Sequence, residues 1–261
     1  MSMTVHPFFQ RLTLLTGPEA AGALEKCRVI VFGLGGVGSW CAEALVRSGV
    51  GTMAVVDFDM VCDSNINRQV QATSRTLGRP KAAAMEERLK EINPLCSITS
   101  HAGAFTKETP GLFDIPGADY VIDAIDTLED KLDLIEAVTA AGRCLFSSMG
   151  MAQKLDPTLI RTADIWKTSG CPLARFVRLG LRKRNFHGHF TAVYSPEQPV
   201  RQEPSQMGDT GRCEDRSGAG REGGKKAALG SAVTVTAAAG MALASLVIRD
   251  ACARYAPPGR G

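Results

Sequence analysis

The sequence has no cysteines paired as C-x-x-C, although eight cysteines are scattered over its 261 residues. A zinc ribbon needs such pairs, so the sequence does not support one. Several of the cysteines stand inside apolar runs, where cysteine behaves as a small hydrophobic side chain. We therefore expect a reduced, cytoplasmic protein without a zinc site.

Signals for membrane targeting are also scarce. The N-terminus has no basic region followed by an apolar stretch, so no signal peptide is predicted. One uncharged segment, from Ala227 to Ile248, has about the length of a bilayer-crossing helix. Its residues are mostly Ala, Thr, Gly and Ser, which gain little from lipid and suit close helix packing. We predict a packed helix over residues 231–254, buried or at a dimer interface, and no membrane insertion.

The excess of positive charge is small. The net charge is +3 and the pI is about 8.4, which permits an acidic partner such as RNA but does not require one. Apolar residues make up 44% of the chain and charged residues 22%, as in ordinary globular proteins. The composition therefore predicts a folded core.

Short apolar runs alternate with helical patterns along the chain, which predicts a sheet covered by helices on both faces. Strands are predicted at Cys27–Phe32, Thr52–Val56, Ser97–Ser100, Tyr120–Asp123, Cys144–Ser148, Leu159–Ala163 and Phe190–Tyr194. Helices are predicted at about 36–48, from Lys81 to before Pro94, and at 128–141, 172–184 and 231–254. The predicted class is a doubly wound, Rossmann-like α/β fold with a mostly parallel sheet and a C-terminal extension ending in an apolar helix.

We expect two parts within this domain. Residues 1–150 form the nucleotide-binding half. Residues 151–261 continue the same domain with a basic helix, a loop at 202–226 and the packed C-terminal helix. The loop has almost no bulky apolar residue, so it is predicted to be a mobile surface segment.

A glycine-rich turn follows the first predicted strand. Gly33, Gly35 and Gly38 form the pattern G-x-G-x-x-G, which allows a tight turn, backbone approach to a phosphate and close helix–strand contact. The free N–H groups of the next helix attract an anion. Asp57 ends the second strand, where a carboxylate can accept hydrogen bonds from ribose hydroxyls. These residues predict a nucleotide site without separating NAD from ATP.

The residues that follow favour ATP. Arg68 can bind a phosphate through its forked guanidinium, and Lys81 adds a second positive charge at the start of its helix. Asp126 follows a predicted strand, at the sheet edge where ligands bind in open α/β folds. A carboxylate facing phosphates is a suitable magnesium ligand. A dehydrogenase needs none of these three groups, so together they predict ATP and Mg²⁺.

Taken together, these segments resemble the ubiquitin-activating-enzyme-like adenylyltransferases, the superfamily of ThiF, MoeB and HesA. The resemblance is carried by Gly33 to Trp40, Asp57-Phe58-Asp59, Asn65 to Gln69, Lys81 and Asp123 to Asp126. Within that superfamily, the chain is similar to the tRNA threonylcarbamoyladenosine dehydratases. This narrower similarity lies in Gly38 to Leu45, Val61-Cys62, Asn93-Pro94 and Val121 to Asp126. The resemblance covers about Phe9 to Ser195 and continues more weakly into the C-terminal helix.

The resemblance implies a role at each matching position. The nucleotide would be held by Gly33, Gly35, Gly36, Gly38, Asp57, Asp59, Asn65, Arg68, Gln69 and Lys81. The catalytic set would be Arg68, Lys81 and Asp126, with Asp126 as the magnesium ligand. Arg11 matches an arginine that reaches the nucleotide of the partner subunit, which implies a homodimer.

The implied activity is ATP-dependent cyclisation of threonylcarbamoyladenosine in tRNA through an acyl-adenylate. A tRNA substrate needs a basic surface, and cationic residues recur at near-helical spacing after Pro172. The candidates are Arg175, Arg178, Arg182, Lys183 and Arg184. A solvated helix face is an equally good interpretation of this pattern. A monovalent cation and a sulfur-transfer accessory protein remain open as further partners.

Two other functions compete with this one. An enzyme that adenylates the C-terminus of a ubiquitin-like sulfur carrier commonly has two C-x-x-C pairs and, in some members, a cysteine before the last helix. This chain has no such pairs, and that stretch reads Lys226 to Ser231 without cysteine. An NAD-dependent oxidoreductase or a nucleotide sensor would give no role to Arg68, Lys81 or Asp126.

Overall fold

The structure is a computed structural model that describes residues 6–200 and 229–255. Its strands are β1 Arg28–Phe32, β2 Thr52–Val56, β3 Ser97–His101, β4 Tyr120–Asp123, β5 Cys144–Ser148, β6 Arg161–Asp164 and β7 Thr191–Tyr194. Its α-helices are α1 Gln10–Thr16, α2 Pro18–Lys26, α3 Gly38–Arg47, α4 Lys81–Ile92, α5 Leu128–Ala140, α6 Pro172–Lys183 and α7 Val233–Tyr255.

The strands form one sheet in the order β3-β2-β1-β4-β5-β7-β6. All neighbours are parallel except β6 and β7, which are antiparallel. From β1 the sheet continues to β2 and β3 on one side, and from β4 it continues to β5, β7 and β6 on the other side. A crevice therefore opens at the carboxyl ends of β1 and β4, where ligands bind in folds of this class. The predicted Rossmann-like α/β fold is confirmed.

Side chains of the central strands enter two separate cores. Val29 and Val31 of β1 pack with α3, α4 and α7, whereas Ile30 and Phe32 pack with α5 and α6. Alternation along a strand sends successive side chains to opposite faces. Because both faces of the sheet are covered, its strands can be apolar at every position.

The C-terminal helix α7 packs on the same face as α3. Its residues Val235, Ala239, Leu243, Val247 and Ala251 recur every fourth position and are almost fully buried. By length and composition α7 could cross a membrane, but a helix that packs into a core meets the same criteria.

One glycine of α7 allows the close contact with α3. A Cβ at Gly240 would lie 2.5 Å from the carbonyl oxygen of Val37 and 2.9 Å from the amide nitrogen of Cys41. Only glycine fits so near another backbone. The predicted packing of this helix inside the protein therefore has a direct physical cause.

The structure differs from the sequence-based prediction mainly in two respects. Helices α1 and α2 were not predicted. The strand expected at Leu159–Ala163 is shifted to Arg161–Asp164, because Pro157 opens a short 3₁₀ turn that Asp156 caps through the amide of Thr158. The loop predicted at 202–226 lies outside the described residues.

Candidate functional site

The glycine-rich turn lies at the carboxyl end of β1. Gly33 has a φ of +86°, a conformation that residues with side chains rarely adopt. A Cβ at Gly38 would lie 1.8 Å from the carbonyl oxygen of Gly33, so α3 can begin here only with glycine. A Cβ at Gly35 would meet nothing within 4 Å, whereas one at Gly36 would lie 3.1 Å from Thr236 of α7. The turn therefore presents open backbone at Gly35, as a phosphate cradle requires.

Register brings three strand ends to the same level. Phe32 at the end of β1 is paired with Val56 of β2 on one side and with Asp123 of β4 on the other. The residues that follow each strand, Gly33 and Asp57 among them, therefore meet at one edge of the sheet. This edge is the candidate site.

Asp57 fixes the glycine turn from the neighbouring strand. Its Oδ2 accepts a hydrogen bond from the Leu34 amide at 2.6 Å, and its Oδ1 accepts one from the Asp59 amide at 2.8 Å. Burial raises the pKa of the Asp57 carboxyl, although Lys81 and the two amides act in the opposite direction. Each oxygen keeps a further lone pair, so contact with a ribose hydroxyl remains chemically open.

Lys81 stands beside Asp59 at the same edge. Its Nζ lies 2.8 Å from Oδ2 of Asp59, and the two side chains are 7% and 33% exposed. The Lys81 amide also donates to the carbonyl oxygen of Asp59 at 2.9 Å, which fixes the first turn of α4 next to the strand end. The ammonium group is thus held in position by an ion pair with Asp59.

Arg68 is half-buried in the loop between β2 and α4. Its Nη1 donates to the carbonyl oxygen of Ser64 at 2.8 Å and to Oδ1 of Asn67 at 2.9 Å. Burial lowers the pKa of its guanidinium, while the negative charge of Asp126 acts in the opposite direction. Trp40 supports the same loop by donating its indole N–H to the Arg68 carbonyl at 2.9 Å.

Asn65 and Gln69 are buried in this loop. Asn65 accepts a hydrogen bond from the Cys62 amide at 3.1 Å, so its side chain shapes the loop. The Oε1 atoms of Gln69 and Gln71 are buried and have no partner within residues 6–200 and 229–255. Gln71 uses its Nε2 to bind the carbonyl of Leu34 in the glycine turn at 2.8 Å. Two unpartnered acceptors beside the turn suit a ligand that carries N–H or O–H donors.

Asp126 is exposed on the loop after β4. No cluster of three or more His, Cys, Asp or Glu side chains that could hold a metal exists in the described part of the chain. A lone carboxylate is nevertheless the protein ligand set that magnesium often uses when phosphates supply the other oxygens. The negative charge of this carboxylate acts on the guanidinium of Arg68.

A buried ion pair supports the Asp126 loop. Lys131 of α5 places its Nζ 2.7 Å from Oδ2 of Asp123, and neither side chain is exposed. The same Nζ donates to the carbonyl of Ser148 at 3.0 Å and to Oγ of Ser147 at 3.3 Å. Oδ1 of Asp123 accepts the amide of Ile125 at 3.1 Å. This network joins the ends of β4 and β5 and holds the loop that carries Asp126.

Several residues of the site were not singled out from the sequence. They are Gln71, Lys131 and Thr236. Gln71 stands two positions after Gln69, a spacing that could have suggested it. In the sequence, Lys131 looks like any charged residue on the surface of a helix, and Thr236 lies far from the other site residues. No local sequence pattern therefore predicts a role for either residue.

Arg11 lies on the exposed side of α1. That helix packs mainly on α2, which leads into the amino end of β1, at the edge opposite the glycine turn. The structure therefore does not bring Arg11 to the nucleotide edge of its own chain.

The five candidate RNA-binding cations of the basic helix have different surroundings. Arg184 is bound to three carboxylates, those of Glu129, Asp133 and Glu136, at 2.6, 2.5 and 2.8 Å. Arg178 is half-buried and donates to Oγ1 of Thr168. Arg175, Arg182 and Lys183 are exposed. The basic pattern thus contains both structural and outward-facing charges.

The sequence profile of the ThiF family matches residues 9–249, which is most of the chain. The chain belongs to the ThiF family. Among curated relatives of this ThiF-family chain, the tRNA threonylcarbamoyladenosine dehydratase of Bacillus subtilis is 43% identical over 192 residues. That match covers 74% of the chain and 76% of the relative. The resemblance seen in the sequence is confirmed.

Solved structures show the same relationship. The Escherichia coli tRNA N6-threonylcarbamoyladenosine dehydratase, TcdA, in complex with ATP superposes with a TM-score of 0.81 at 31% identity, over 96% of both chains. A sulfur carrier protein adenylyltransferase of Thermus thermophilus is also similar, at 35% identity. That similarity covers 49% of this ThiF-family chain and 47% of the relative. The match to the dehydratases extends over far more of the fold.

Proposed function

We propose that the protein uses ATP to cyclise threonylcarbamoyladenosine in tRNA. The substrate carboxylate attacks the α-phosphorus of ATP, forming an acyl-adenylate and releasing pyrophosphate. The carbamoyl group then attacks the activated acyl carbon, a ring closes and AMP leaves. The tRNA loses one water in total. No side-chain nucleophile is needed, because the substrate carboxylate is the nucleophile.

The proposal rests on the charges gathered at one sheet edge. Arg68 and Lys81 stand beside an open glycine turn, and Asp126 stands where its charge acts on Arg68. A site that only recognises a dinucleotide has no use for two cations and a carboxylate in this arrangement. Relatives that match most of the chain carry the same activity in their names.

Each residue of the edge has a defined task in this proposal. Arg68 and Lys81 neutralise the phosphates and the charge that develops on the leaving pyrophosphate. The free amides of the glycine turn bind a phosphate oxygen, and Asp57 orients the ribose. Gln69 and Gln71 offer their unpartnered oxygens to donors of the nucleotide.

Asp126 would hold a magnesium ion. When bound, the ion supplies positive charge between phosphate oxygens. The Asp123–Lys131 network keeps the loop of this carboxylate in place before any ligand arrives.

Arg11 would act in a second copy of the chain. Its helix is exposed and lies away from the glycine turn of its own subunit, so the arginine can reach a nucleotide only across a subunit boundary. We therefore propose a cytoplasmic homodimer with composite sites.

Adenylation of a ubiquitin-like sulfur carrier is the competing function. The similar carrier-protein enzyme matches only about half of the chain. Both reactions begin with the activation of a carboxylate by ATP. Only the identity of the substrate therefore distinguishes the two functions.

The deciding experiment supplies ATP, Mg²⁺ and tRNA that contains threonylcarbamoyladenosine, and measures nucleosides by mass spectrometry. We expect a product lighter by one water, with AMP formed in equal amount. Pyrophosphate exchange that depends on a small carrier protein, with the tRNA unchanged, would refute the proposal.

Asp126→Asn tests the role of the carboxylate. The variant should lose about 10²- to 10³-fold in rate, as for removal of one electrostatic group from an active site, while its unfolding transition stays as in the wild type. Glu19→Gln removes a charge from an exposed position of α2 and serves as the matched control. Normal activity of Asp126→Asn would show that the magnesium assignment is wrong.

A further inference from the structure

The outward face of α6 carries three exposed cations, Arg175, Arg182 and Lys183, that have no role in the nucleotide site. At 100° per residue, its exposed residues fall within an arc of about 120°. They are Pro172, Arg175, Phe176, Leu179, Arg182 and Lys183. The opposite side, with Ala174, Val177 and Leu181, is fully buried. The helix thus has one packed side and one that presents cations and apolar groups together.

No carboxylate shares the segment that contains this face. Residues 165–196 hold six Lys or Arg and no Asp or Glu. Two of the six are used internally, since Arg184 is bound by three carboxylates of α5 and Arg178 by Thr168. The other four, Lys167, Arg175, Arg182 and Lys183, are exposed. A helix that only needs solubility would mix both signs, so this surface is complementary to a polyanion.

Aromatic groups lie among these cations. Phe176 is 53% exposed, and the apolar side chain of Leu179 beside it is 41% exposed. Arg182 lies 5.6 Å over the ring of Trp166. Trp166 is itself fixed by the hydrogen bond from its indole N–H to the carbonyl of Gly188 at 3.0 Å. Rings between cations form the arrangement that binds unpaired bases and their phosphates.

The first turn of α6 lies next to the candidate site. A Cβ at Gly150, just after the carboxyl end of β5, would lie 3.3 Å from Cβ of Leu173. Further along, Gly180 packs on Leu132 of α5, the helix that follows Asp126. A strand of RNA on the outward face of α6 could therefore reach the carboxyl edge.

We propose that this face binds the unpaired loop of the RNA substrate. Arg175, Arg182 and Lys183 contact its phosphates, and Phe176 stacks on a base next to the modified one. The assignment rests on the proposed function and adds a surface on which the RNA substrate binds. Arg178 and Arg184, which the sequence pattern also suggested, take no part because they hold the helix in the protein.

The test uses the full chain and a labelled anticodon stem-loop RNA, with binding followed by fluorescence anisotropy at several KCl concentrations. Replacing Arg175, Arg182 and Lys183 by Ala should weaken binding about tenfold or more and reduce the slope of log K against log salt by about 2. Phe176→Ala and Phe176→Leu should each weaken binding about tenfold, because leucine keeps apolar area without a stacking face. Phe176→Tyr should bind as the wild type does.

Two controls separate stacking and specific charge from general effects. Leu179→Ala removes apolar surface from the same face and should leave RNA affinity within about twofold, since it removes no stacking ring. Lys26→Ala removes one charge at the opposite sheet edge and should not change the slope. ATP binding, measured on each variant, should stay at the wild-type value.

Several outcomes would overturn the inference. One is an unchanged salt slope in the triple variant, and another is wild-type affinity in Phe176→Leu. A changed sedimentation coefficient in Phe176→Ala and Leu179→Ala, with RNA affinity unchanged, would make the face a protein interface instead. If the wild type dehydrates the tRNA and the variants bind RNA with wild-type affinity and salt slope, this inference fails but the proposed function stands. If the wild type neither binds nor converts the RNA, the proposed function fails as well.

Discussion

Two lysine–aspartate pairs at the same edge of the sheet have nearly the same length but opposite surroundings. Lys131 and Asp123 are 2.7 Å apart and fully buried. Lys81 and Asp59 are 2.8 Å apart, and their side chains are 7% and 33% exposed. The first pair lies beneath the loop of Asp126, whereas the second borders the crevice.

The two pairs differ in how many N–H donors of the lysine are already hydrogen-bonded within the protein. The Lys131 ammonium has three N–H groups and three acceptors, from Asp123, Ser147 and Ser148. Within the described residues, Lys81 has one side-chain acceptor, Asp59. The first lysine is therefore saturated and structural, while the second can bind another anion. Saturation and burial, rather than pair distance, separate the two roles.

The largest effect should come from the buried pair. Lys131→Met leaves the Asp123 carboxylate buried without its cation, which should lower the free energy of unfolding by about 3–5 kcal/mol. Urea unfolding measures this change. The double variant Asp123→Asn with Lys131→Met should recover part of the loss, because no charge is then buried. A loss below about 1 kcal/mol in the single variant would contradict the structural role.

Lys81→Ala should show the reverse pattern. Its activity should fall about 10²- to 10³-fold, whereas its free energy of unfolding should change by about 1 kcal/mol or less, since its partner is partly exposed. Nucleoside mass spectrometry and urea unfolding give the two values. Lys90→Ala, an exposed position of the same helix paired with Glu86, is the control and should change neither. If Lys81→Ala unfolds as readily as Lys131→Met does, the contrast between the pairs is wrong.

A third lysine extends the comparison to a buried ammonium group that donates its hydrogen bonds to backbone carbonyls. Lys154 is buried, and its Nζ donates to the carbonyls of Gly150 and Ser195 at 2.9 and 2.6 Å. Burial lowers its pKa below the ordinary 10.5. The folded chain therefore holds this proton less tightly than the unfolded chain, so the contribution of Lys154 to stability rises with pH.

The contribution of Lys154 to stability can be measured by comparing the wild type with the variant Lys154→Met. The free energy of unfolding of the wild type minus that of Lys154→Met should increase as the pH rises toward 10.5, the ordinary pKa of lysine, by at most about 1.4 kcal/mol per pH unit. Urea unfolding at each pH provides the values. A constant difference over that range would show that the ammonium is not destabilised by burial.

The nucleotide edge could be predicted because its signals are local. Glycines at fixed spacing follow β1, and the chain places polar residues directly after β2 and β4, so parallel strands bring them to one edge. The boundaries of β2, β4 and β5 agree with the prediction for the same reason, since each is a short apolar run between turn residues. Helices α1 and α2 lack such a clear pattern, and the sequence did not reveal them.

The sequence by itself determined the order of strands and helices from β1 onward, the position of the glycine turn and the cations that follow it. Only the tertiary structure decided which charges are free. Arg184 belongs to the same basic run as Lys183, yet it is bound by carboxylates about fifty residues earlier, while Lys183 faces solvent. Lys131 looks like any helix charge until α5 packs on the sheet. Burial depends on contacts between residues far apart in the chain, and local patterns do not contain that information.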